Sequence, residues 1–200
     1  MLFLFMSSKY FPIYLIALLE GGALLSFEIM ISRIYTPHLG STIFVWTSIL
    51  TCTLISLALA YHFSHRLIIK SQWKALPVFL TCAGLYILFS TYASQPLLEA
   101  TYTMPIKTAS LVIGFLIVSV PVFCMGVVSP MLATYISETT QNIGKETGII
   151  YGLSTLSGVV LTLMSVFILM PNVGVRNSLL IISIFLFVAA LISYFKTNKK

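Results

Sequence analysis

Glu20 and Glu28 stand inside an apolar run that opens near Phe11 and closes at Pro37-His38-Leu39-Gly40. A carboxylate in hydrocarbon is costly, about 2.5–3.5 kcal/mol for Asp at a helix centre on insertion scales. Both glutamates must therefore face protein, a water-filled cavity or a partner charge. The fold has to supply those surroundings. Any activity beyond residence in a membrane is expected to involve the helix that carries residues 20 to 41.

The other long stretches are apolar too. The chain is 58% hydrophobic and 8% charged, with five Glu and no Asp, against about 25% charged residues in a soluble domain. It reads as an integral membrane protein of the all-α class, a polytopic helical bundle. Its 200 residues hold about six spans of roughly 20 residues and leave no room for a separate soluble domain. The expected spans are 11–35, 42–63, 75–93, 108–136, 148–170 and 178–195, forming one transmembrane domain over 1–200. Met1-Leu-Phe-Leu-Phe-Met has no basic residue ahead of it, and Lys9 comes after it. The first span is thus expected to be retained, not cleaved as a signal peptide.

The net charge of +6 is not a nucleic-acid footprint, because the basic residues lie singly at the ends of apolar runs, as flanking charges do. With six spans, Lys9, Arg66, Lys70, Lys74, Lys145, Lys196, Lys199 and Lys200 fall on one side and Arg33, Lys107 and Arg176 on the other. Both termini are then expected in the cytoplasm of a bacterium, with the chain in its cytoplasmic membrane. Cys52, Cys82 and Cys124 lie in apolar runs without C-x-x-C spacing and read as free buried thiols.

Span two has small residues every fourth position, Ser48, Cys52, Ser56 and Ala60. Span five has Gly148, Gly152, Ser154, Gly158 and Thr162. Such faces allow close backbone approach, so these two spans are expected to be the tightly packed inner helices. Span four carries Pro121, Gly126 and Pro130, which predict a bent or broken helix. Pro37-His-Leu-Gly40 and Pro171-Asn-Val-Gly174 are similar turns on the outer side.

Three stretches together resemble the membrane region of the spermidine synthase-like integral membrane proteins. They are Ser26-Phe-Glu28-Ile-Met-Ile-Ser32-Arg33 with Leu39-Gly40-Ser41, then Pro121-Val-Phe-Cys-Met-Gly126-Val-Val-Ser-Pro130, then Thr147-Gly148-Ile-Ile-Tyr151-Gly-Leu-Ser154-Thr155-Leu-Ser-Gly158 running on to Leu169-Met-Pro171-Asn-Val-Gly174-Val-Arg176. The family pattern has Glu and Arg ending the first span, a P-x-x-x-M-G-x-x-x-P segment and a G-x-x-Y-x-x-N-T-x-G segment. In that family the spans precede a cytoplasmic aminopropyltransferase-like Rossmann domain. The likeness covers roughly residues 15–195. Ser154 stands where the family has Asn, and the chain ends at Lys200, where that domain would begin. The resemblance therefore implies the membrane half without synthase activity or an S-adenosyl ligand.

Glu28 and Arg33 are five residues apart, about 140° around a helix, so they do not face each other. Ser32 shares the face of Glu28. Glu28 is expected near the outer half of the membrane, against the small faces of spans two and five. Glu20 lies two turns earlier, about 80° away, and the two carboxylates could border one cavity. Arg33 reads as an interfacial residue that snorkels, and Trp46 and Trp73 as interfacial belt residues. His62 and His65 form an H-x-x-H pair with no third ligand, so neither a metal nor a cofactor is expected. No catalytic constellation emerges. Three functions remain open: an anchor or accessory subunit of a separately encoded soluble or membrane partner, a small oligomeric transporter or channel using Glu20 and Glu28, and the non-catalytic half of a two-component enzyme.

Overall fold

In hydrocarbon every backbone N–H and C=O must be paired within its own segment, and helices do this without a partner strand. In a computed structural model the apolar runs accordingly become helices, and no strand occurs among the described residues, 10–71, 74–139 and 143–197. The helices are α1 (Phe11–Leu39), α2 (Ile43–Ser71), α3 (Ala75–Ala100), α4 (Ile106–Thr139), α5 (Ile143–Met164) and α6 (Met170–Thr197), with a π-helical turn, Ser165–Leu169, joining the last two. The expectations for Lys9, Trp73, Lys199 and Lys200, and for the side chains of His65 and Lys70, lie outside the described residues.

Five helices among the described residues are long and apolar enough to cross a membrane, not the six expected: Phe11–Leu39, Ile43–Ser64, Ala75–Ala100, Ile106–Ser137 and Ile143–Lys196. The difference lies in the last of these, a 54-residue run in which Pro171 and Asn172 do not end the helix. Asn172 Nδ2 instead donates to the Ile168 carbonyl at 2.6 Å, which keeps the turn helical. Helical geometry is lost within α6 only at Gly174 (φ 79°, ψ 164°). Gly40, after α1, has nearly the same conformation (φ 74°, ψ 169°). That backbone region is essentially restricted to glycine.

Residue pairs fix the helix directions. Tyr14 meets Glu146, and Glu20 meets Ser154, so α1 and α5 run parallel. Tyr35 meets Ile113 and Glu20 meets Ser129, so α4 runs against α1. Gly114 lies against Cys52 and Gly126 against Ala60, which makes α2 parallel to α4. Gly84 lies against Phe187 and Arg176 over the Tyr92 ring, so α6 runs against α3. The α1 helix packs on α4, α5 and α6 and more lightly on α2 and α3, which makes it the central helix.

Large apolar side chains such as Leu54, Val78, Phe115, Phe167 and Phe195 point outward, while many Ser and Thr are buried. Most of those hydroxyls are satisfied on their own helix. Ser90 bonds Tyr86 O, Thr91 bonds Ile87 O and Ser110 bonds Ile106 O, each one turn back.

Four local expectations change. The α4 helix is continuous through Pro121 and Pro130 rather than broken. Its Gly126 lies against Leu57 and Ala60 of α2, with α3 packed on the same helix. Gly148 and Gly152, expected in a close-packed face, have nothing within 4 Å of where a Cβ would sit. Only the Ser154 and Gly158 side of α5 meets α1. Cys82 is exposed, whereas Cys52 and Cys124 are buried, because Cys82 falls on the outward face of α3. The first and third expected spans also extend, through Pro37 to Leu39 and through Pro96 to Ala100.

Candidate functional site

Glu20 is 2% exposed. Ser129 Oγ of α4 donates to its Oε2 at 3.1 Å, and Ser154 Oγ of α5 donates to the same oxygen at 3.5 Å. Gly21 and Gly158 make this possible. A Cβ on Gly21 would fall on the Ser154 carbonyl and hydroxyl, and one on Gly158 would lie 3.2 Å from the Gly21 carbonyl. With no side chains between them, α1 and α5 approach closely enough for Ser154 to reach across. Tyr61 of α2 and Tyr151 of α5 bring two more hydroxyls within electrostatic range of Glu20. Their side chains are 49% and 40% exposed, so they flank the carboxylate on the outer surface. Four helices thus converge on one buried acid.

The compensation is incomplete. A hydrogen bond to a charged group contributes about 1.5–3 kcal/mol, and the 3.5 Å contact is at the limit of a bond. Desolvating a carboxylate costs several kcal/mol. No basic side chain acts on Glu20 among the described residues. A buried carboxyl with two neutral donors and no cation among the described residues is either held neutral by its own proton or balanced by a cation from outside.

Glu28, 9% exposed, meets a different neighbour. Thr53 of α2 approaches its carboxyl, yet Glu28 Oε1 and Thr53 Oγ1 are both buried without a hydrogen-bond partner. The expected contact with span five is absent from these interactions, because the close face of α5 is taken up nearer Glu20. The two carboxylates have separate polar neighbours rather than a shared set. Arg33 is exposed. Ser32 shares the face of Glu28 but bonds the Ile29 carbonyl at 2.7 Å. His62 is exposed, and no group of three or more His, Cys, Asp or Glu able to hold a metal occurs among the described residues.

Sequence reasoning missed the partners of Glu20. Ser129 sits in the proline segment of α4 and Ser154 in the glycine segment of α5, so both were in view, but nothing linear joins either to Glu20. It also missed Glu146, which lies in the first turn of α5 and accepts a 2.5 Å hydrogen bond from the Tyr14 hydroxyl. The available signal was that only five acidic residues exist and that Glu146 precedes the apolar Ile149 and Ile150 by one turn.

No family model, curated protein or solved structure matches the chain.

Proposed function

We propose that this chain is a small integral membrane carrier for a positively charged species, with Glu20 as the binding carboxylate. The observation that carries the reading is the enclosure of Glu20 by hydroxyls from α4 and α5 with no basic partner among the described residues. Intramembrane ionisable residues that face a bundle interior mark ion and proton paths. The membrane-half resemblance to spermidine synthase-like proteins fits this placement, since its second and third stretches supply Ser129 and Ser154. In this reading the Ile143–Lys196 run crosses twice, turning at Gly174 as the chain turns at Gly40, which gives six crossings. The loss of helical geometry at Gly174 supports the return, and both termini are then cytoplasmic by the distribution of Lys and Arg.

The test is flux through proteoliposomes under an imposed potential, with protons, sodium, potassium and small alkylammonium ions as probes. Wild-type protein carries at least one of them. Glu20→Gln, isosteric and uncharged, lowers that flux roughly tenfold or more, the equivalent of losing a charged contact of about 1.5–3 kcal/mol. Equal flux in wild type and Glu20→Gln would refute the reading.

A second reading, an accessory subunit of a separately encoded partner, is favoured by one observation. Gly148 and Gly152, four residues apart, leave an open strip on α5, and small-xxx-small faces admit another transmembrane helix.

A further inference from the structure

We infer that the Glu28 carboxyl and the Thr53 hydroxyl form a second intramembrane site, one that takes up and releases a proton. The inference rests on the carrier reading only for its coupling role; the site itself stands on separate residues.

Glu28 and Thr53 are 9% and 4% exposed. They come from different helices and approach each other, and Glu28 Oε1 and Thr53 Oγ1 are both buried without a hydrogen-bond partner. Thr53, like Ser26, Thr42 and Thr162, departs from the common habit of this protein's hydroxyls. Thr81, Thr91 and Thr134 each close onto the carbonyl four residues back, whereas Thr53 leaves its hydroxyl free to act across the interface. Two side-chain oxygens are too few for a metal ion, which takes four or more ligands. They are enough for a proton.

The chemistry balances without any further reagent. On uptake, an O–H bond forms at Glu28 Oε1, the carboxyl becomes neutral, and the new O–H donates to Thr53 Oγ1. On release, that bond breaks, the proton leaves to water, and the Thr53 O–H turns to donate to the carboxylate. A hydroxyl can be donor or acceptor by rotation, so Thr53 serves both states, which a Lys or Arg could not do. The facing groups are simple. Thr53 is the polar group that α2 brings, and no ionisable side chain of α2, α3, α4, α5 or α6 acts on Glu28 among the described residues. On α1 itself, Glu20 lies two turns away, roughly 12 Å along the axis.

The chain has five Glu and no Asp, so carboxyl-¹³C-labelled glutamate in nanodiscs gives a spectrum simple enough to follow residue by residue. The resonance lost in Glu28→Gln is expected to titrate in wild type. Its midpoint moves in Thr53→Val and returns in Thr53→Ser, while the Glu20 resonance stays in place. Ser129→Ala does the reverse, moving Glu20 and leaving Glu28. Unmoved resonances of the other glutamates report that each variant is folded, and should Glu28→Gln fail to fold, the Thr53 pair decides. A Glu28 resonance that does not titrate, or one indifferent to Thr53→Val, overturns the proposal. Failure of cation flux in the wild type would remove the Glu20 reading and leave this titration intact.

Discussion

Gly21→Ala is expected to loosen the α1–α5 contact and lower the melting temperature by about 6–12 °C. The added methyl falls on the backbone carbonyl of Ser154 and on its hydroxyl. A side chain can rotate out of the way, but a helix carbonyl cannot, so α5 must shift as a body. Overpacking costs typically 1–3 kcal/mol, and a rigid backbone obstacle puts this site at the upper end. One kcal/mol corresponds to roughly 2–4 °C for a chain of this size. The same shift draws Ser154 away from Glu20, so flux falls together with stability. Gly152→Ala is the control: it is on the same helix, has nothing within 4 Å, and should melt as wild type does. Thermal unfolding in one detergent compares the three proteins. An unchanged Gly21→Ala protein would mean that α1 and α5 are not held this close.

Tyr14→Phe is expected to destabilise the protein by about 1.5–3 kcal/mol, measured by the same unfolding experiment. Its hydroxyl is the donor to Glu146 Oε2 at 2.5 Å. Glu146 is 9% exposed, in the first turn of α5. Removing the donor leaves a buried acid short of a partner, which is worse than losing the pair. The double variant Tyr14→Phe/Glu146→Leu therefore recovers much of the loss, since replacing both members by apolar groups is close to neutral. A double variant no better than Tyr14→Phe alone would show that packing, and not the hydrogen bond, governs this end of α1.

The contrast between these two predictions also shows what the sequence could disclose. Apolar runs announce helices because hydrocarbon permits little else, and the helix carrying Glu20 and Glu28 was recognisable as the one others must surround. Its partners were not. Ser129 and Ser154 look like the many hydroxyls that close onto their own helix, and only the packing distinguishes them. Glycine faces were legible as faces but not as directions: Gly148 and Gly158 share one run, yet the first is open and the second abuts Leu25. Gly174 was visible as part of a turn, but the helical hydrogen bonding continuing through Pro171 was not. Thr53 carried no linear signal, since nothing in the sequence marks a hydroxyl that leaves its own helix unbonded and lies beside Glu28.

The central position of α1 has a consequence in time. Glu20 emerges early in synthesis, yet Ser129 and Ser154 lie 109 and 134 residues further on. At about 5–20 residues per second, the acid waits roughly 7–27 s for its second donor. During that interval α1 is a helix with two exposed carboxylates in or beside the bilayer. The α2 helix, whose Thr53 lies against Glu28, is synthesised before α4 and α5. Glu28 thus has its polar neighbour synthesised before either hydroxyl that meets Glu20.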